Sequence, residues 1–133
     1  MTDITLITDE GKIDLSRPTN SDLSALQYYF VKLDADEEVV ACGANEKPLG
    51  ILQNAPDGSS SETIATVRIQ GVSKLKLDEA VAFGKYLTST SASKGEVADA
   101  AGEDYGAKAL TSGDDGDTIA VQIVFGEVEA SDA

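Results

Sequence analysis

Residues 63–77 carry the pattern that most restricts what this chain can become. Thr63, Ala65, Val67 and Ile69 fall on one side of an extended backbone, and Ile64, Thr66, Arg68 and Gln70 on the other. Side chains alternate between the two faces of a strand, so a period of two predicts a half-buried β-strand. An amphipathic helix would repeat its apolar positions every three to four residues. Gly71 interrupts the run and predicts a bulge or the close approach of another backbone. Beyond it Val72, Lys74 and Lys76 alternate with Ser73, Leu75 and Leu77, a second segment of the same kind. A strand this long needs partners.

The partners are legible on both sides. Tyr28-Tyr29-Phe30-Val31-Lys32-Leu33 is rich in aromatic and β-branched residues. Asp34-Ala35-Asp36-Glu37 then turns the chain into Val39-Val40-Ala41-Cys42, which predicts a hairpin with Tyr28 and Tyr29 on opposite faces of its first strand. Residues 48–53 form a third candidate strand, closed by the turn chemistry of Asn54-Ala55-Pro56-Asp57-Gly58. Residues 78–84 read as one helical turn capped by Asp78 and Gly84, or as an irregular corner. Further strands are expected at 86–89, 96–98, 105–110 and 118–125, with Gly/Asp turns between them. Strands at such spacing indicate a mainly β fold, a small single-domain barrel or sandwich with at most one or two short helical turns.

The ends differ from the middle. Residues 1–24 hold a short β-like segment from Ile4 to Thr8, a turn at Asp9-Glu10-Gly11, a brief apolar stretch at Ile13 and Leu15, and Arg17-Pro18. This is too little apolar surface to fold alone. It is expected to be an extended N-terminal arm that either docks on the domain of residues 25–126 or waits for a partner. Residues 127–133 are expected to be an acidic, disordered tail. The first residues show neither a basic region nor a long apolar stretch, so no secretory signal is expected, and assembly is expected in a cytoplasm.

Composition narrows the chemistry. With 133 residues, the chain can bury a core without disulfide or metal. Aromatics are 5% and Trp is absent, so Val, Ile, Leu and Ala must build that core. The single cysteine, Cys42, excludes an internal disulfide and reads as a small buried hydrophobe. There is no histidine, which excludes a Ser-His-Asp arrangement and most zinc sites. Asp114, Asp115 and Asp117 invite a calcium reading, but their spacing completes no EF-hand loop and a hairpin turn explains them; Asp34 and Asp36 are read the same way. No Walker-type loop and no G-x-S-x-G occurs. Lys74 and Lys76 sit inside an alternating strand, unlike the modified lysine of a carrier domain in its tight turn. We therefore expect no enzyme, no cofactor and no metal site. The net charge of −14 argues against nucleic acid or an anionic membrane as a direct partner, since phosphate binding depends on Lys and Arg. It suits a solvated outer surface, or adaptation to a salty medium.

Four runs in order resemble a known family: Asp22-Leu23-Ser24-Ala25-Leu26-Gln27-Tyr28-Tyr29-Phe30-Val31-Lys32-Leu33-Asp34, then 47–56, then 65–74, then Ala80-Val81-Ala82-Phe83-Gly84-Lys85-Tyr86-Leu87-Thr88-Ser89. Together they are similar to the capsid decoration, or cement, proteins of tailed phages. The resemblance spans about residues 22–125, and this chain departs from it in a heavier acidic load and a longer arm. It implies a lambda-type decoration-protein-like β domain on the outer surface of a virion, commonly a homotrimer, binding the major capsid protein and bridging its neighbours. The candidate capsid-binding residues are Ile4, Thr5, Leu6, Ile7, Ile13 and Leu15, from which an arm can add a strand to an exposed sheet edge. The competing reading is a carbohydrate- or receptor-binding β module. That reading needs a concave aromatic patch, for which Tyr28, Tyr29, Tyr86 and Tyr105 are the candidates.

Overall fold

The computed structural model describes residues 11–60 and 62–129. Among these residues there is no helix, and nine antiparallel strands make a curled, half-barrel-like sheet, the mainly β fold expected. They are β1 (Ile13–Pro18), β2 (Phe30–Leu33), β3 (Val39–Ala41), β4 (Gly50–Leu52), β5 (Ile64–Lys76), β6 (Tyr86–Ser89), β7 (Gly95–Val97), β8 (Asp104–Ala109) and β9 (Thr118–Glu127). Their spatial order is β3-β2-β4-β5-β9-β8-β6-β7, with β1 paired to β5 outside that path.

The 13-residue strand β5 is the spine. Its first half pairs with β1 and β4, and its second half, from Gly71 on, with β9. Gly71 marks the change. It has φ +103°, and a Cβ there would lie 3.0 Å from the Lys12 Cα, so another backbone does pass close by. Alternation survives the change: Ala65 and Val67 are buried before it, and Ser73, Leu75 and Leu77 after it.

Two cores result. The larger joins Phe30, Ile51, Leu75, Leu77, Leu87, Val121, Ile123 and their neighbours beneath β5, β6, β8 and β9. The smaller joins Leu23, Val31, Val39, Leu52, Ala65 and Val67. Adjacent residues on β2 (Phe30, Val31) and β4 (Ile51, Leu52) enter different cores, so these two strands are buried on both faces. A short apolar run without alternation is the signature of such a strand. Cys42, directly after β3, is fully buried, and its carbonyl accepts hydrogen bonds from Ser89 (3.0 Å) and Ser93 (2.6 Å) that join the halves.

Two local expectations change, and of the two alternatives for residues 78–84 the structure takes one. Tyr28 and Tyr29 do not share a strand with Phe30. Tyr28 has φ +71°, a left-handed conformation that stops the strand short, and its N–H donates to Leu52 O while its carbonyl accepts from Lys76 N–H. Residues 78–84 form an irregular corner, in which Val81 bridges to Gly113. At the C-terminal end β9 runs to Glu127, and Val128 is buried and bonded to Gly102 and Glu103, so order extends past residue 126. Residues 130–133 lie outside the described residues.

Candidate functional site

Of the six candidate attachment residues, Ile4, Thr5, Leu6 and Ile7 lie outside the described residues. Ile13 and Leu15 lie on β1, opposite Gln70 and Val67 of β5. The stretch from Ile13 to Leu23 is therefore part of the domain's own sheet and core. Ile13 stays 46% exposed, whereas Leu15 is half-buried.

Polar ties explain why β1 stays in place despite its poor apolar surface. Arg68 Nε and Nη2 donate to the two oxygens of Asp14 at 2.8 and 3.2 Å, a fork-to-fork geometry. The same guanidinium donates to Val72 O at 3.0 Å. These hydrogen bonds to Arg68 hold the Asp14 carboxyl below its ordinary 3.8. Arg17 Nη2 donates to the Glu37 carbonyl at 3.2 Å, and the buried Thr19 hydroxyl donates to Val39 O at 2.7 Å. Arg17 and Thr19 thus reach from β1 to the hairpin β2–β3, so side chains lace together the ends of the five-strand run β3-β2-β4-β5-β1 around the smaller core. Sequence reading missed these ties because the partners stand 20 and 54 residues apart.

The aromatic residues do not gather into one platform. Tyr86 and Tyr105 stack, with centroids 4.5 Å apart and planes at 35°, and Lys108 Nζ lies 5.8 Å from the Tyr86 ring centre. Tyr105 also lies against Gly126, where any Cβ would meet its ring. A glycine covered by a cross-strand aromatic is a device for stiffening a sheet. Tyr28 stands apart, packed partly on the larger core with Lys74 Nζ 5.4 Å from its ring centre. Phe125, 49% exposed, borders a shallow groove with Lys47, Pro48 and Tyr105. A Phe-Gly pair inside an alternating strand was the signal for this arrangement.

The carboxylates serve turns. Asp34 Oδ1 accepts the N–H groups of Asp36 and Glu38, and Asp117 Oδ2 accepts that of Asp114. Among the described residues, no three His, Cys, Asp or Glu side chains converge as metal ligands would. Burial pushes the Cys42 thiol up to about 11, which keeps it protonated and unreactive.

The class that this architecture defines is a small antiparallel β half-barrel. No family model matches the sequence, and no curated protein does. Among solved structures the chain is similar to the N base of head fiber gp8.5 of bacteriophage phi29, with a TM-score of 0.67 and 13% identity. The match covers 89% of this chain and 98% of that one. At that identity the likeness is one of fold.

Proposed function

We propose that this protein is a structural component of a tailed-virus head that binds the outer capsid surface and bridges neighbouring major capsid proteins, without catalytic activity. The observation that carries this reading is the likeness to a phage head fibre base along nearly the whole of that structure. The resemblance of residues 22–125 to cement proteins supports the same role, and adds the narrower elements: a homotrimer, the head-stabilising family, and assembly in the host cytoplasm. The net charge of −14 fits a protein that touches protein rather than nucleic acid or anionic lipid, and it keeps coated particles apart.

Attachment falls to the segment that precedes β1. Ile4, Leu6 and Ile7 lie directly upstream of a strand already held at a sheet edge, and an extended segment there can add a strand to the shell. Each main-chain hydrogen bond contributes about 1 kcal/mol net, so one arm holds weakly once its ordering is subtracted. Three arms on one trimer hold firmly through high effective concentration. Replacing Ile4, Leu6 and Ile7 together by Ser tests this. Capsid binding in a sedimentation assay is expected to fall at least tenfold with the melting temperature unchanged; full binding by the variant would contradict the assignment. The carbohydrate-binding reading is the weaker one, because Tyr86 and Tyr105 are engaged with each other, Lys108 and Gly126.

A further inference from the structure

Charge is spread unevenly over the C-terminal sheet. The register sets Val72, Gln122, Lys108 and Tyr86 in one row across β5, β9, β8 and β6, with Lys74 opposite Ala120 in the next. Alternation turns these side chains away from the larger core, since Ser73, Leu75, Val121, Ile123, Ala107 and Leu87 between them are buried. No outward position of residues 72–76 or 118–124 is acidic, although 24 of the 133 residues are. Lys74, Lys76 and Lys108 lie here, and the ion pairs among the described residues use Arg17, Lys32 and Arg68 instead.

The end of the same sheet at β7, where Leu77 bridges Gly95 and Asp78 N–H donates to Gly95 O at 2.8 Å, is the opposite. Glu96 on β7 is flanked by Asp78, bonded to Gly95, by Glu79, whose Oε2 accepts the Val97 N–H at 2.9 Å, and by Glu103, whose Oε1 accepts the Asp99 N–H at 3.0 Å; burial together with these like charges holds its carboxyl above the ordinary range. Crowded carboxylates gain from a cationic partner. A chain of charge −14 can associate with itself only where like charges are kept out of the contact.

We propose that these two surfaces form one self-contact, in which the lysine-bearing outer face of β5, β9 and β8 in one copy receives the β7 end of the next. Two different surfaces meeting head to tail generate a ring where the rotation closes, which is the symmetry a trimer requires. The inference deepens the oligomer part of the reading above and rests on it. Three strands and five residues span roughly 240 Å² in projection. A stable interface buries about 800 Å² per partner, so association in solution is weak and concentration-dependent.

Sedimentation equilibrium of the full chain into the millimolar range tests the proposal. The wild type is expected to self-associate, whereas Lys74→Glu/Lys108→Glu and Glu96→Lys/Asp99→Lys each weaken association at least tenfold. Mixing the two variants is expected to give heteromers that neither forms alone. Circular dichroism melting of each variant reports that it is folded. A wild type that stays monomeric, variants that associate as the wild type does, or a mixture without heteromers would overturn the proposal. Capsid binding read in parallel keeps the outcomes distinct: its loss in the wild type would sink the proposed function, and its retention by a monomeric wild type would sink only this contact.

Discussion

The two halves of the sheet reach stability by different routes. The C-terminal half, from the second part of β5 through β9, packs a twelve-residue core under strands that alternate cleanly. The N-terminal half packs six buried residues and closes its seam with side chains: Asp14 to Arg68, Arg17 to Glu37, and Thr19 to Val39. Where apolar area is short, directional polar contacts fix the strand that apolar packing alone would leave loose.

The largest test of that contrast comes from the cores. Phe30→Ala is expected to cost about 4 kcal/mol and Leu23→Ala about 3 kcal/mol, the usual range for buried side chains of these sizes. Because Phe30 and Val31, like Ile51 and Leu52, tie one core to the other, both variants are expected to lower the urea midpoint with the slope unchanged. A second transition in Leu23→Ala would show that the halves unfold separately.

Smaller effects separate the halves further. Gly126→Ala forces Tyr105 off its seat, with an expected cost of about 1–2 kcal/mol and loss of the near-ultraviolet tyrosine signal; the far-ultraviolet spectrum should be unchanged. The smallest and most diagnostic effect is in pH. Asp14 has a depressed folded pKa, so its contribution, about 1 kcal/mol or less for a partly exposed pair, is present above 3.8 and lost as pH falls through the folded value. Glu96 has a raised folded pKa, so its contribution is greatest below 4.5 and is lost as pH rises through the folded value. Asp14→Asn is expected to flatten the acid limb of stability, and Glu96→Gln to raise stability slightly at neutral pH. Thermal melts across pH check both, and matching signs in the two variants would refute the contrast.

The C-terminal half was the more legible in the sequence. Alternation at 63–77 located β5 and separated its two faces, the run at 118–125 located most of β9, and the turns at 34–37 and 113–117 fell where carboxylates cap backbone N–H groups. The N-terminal half hid its logic. Ile13 and Leu15 looked like part of an arm outside the domain because the strand they form is tied to Arg68, Glu37 and Val39, far along the chain. Tyr28 and Tyr29 looked like strand residues because composition does not reveal a positive φ. The uneven distribution of lysine and acid was within reach, but only once strand register said which residues share a face.

In the proposed function the protein sits on a viral head and is held there by residues upstream of β1. Cryo-electron microscopy of undecorated capsids mixed with either the full chain or a chain beginning at Gly11 tests it most directly. The account predicts ordered density for the half-barrel on the outer capsid surface with the full chain, continuous with a strand on the shell, and bare capsids with the shortened chain. Bare capsids in both mixtures, or equal decoration by both chains, would contradict it.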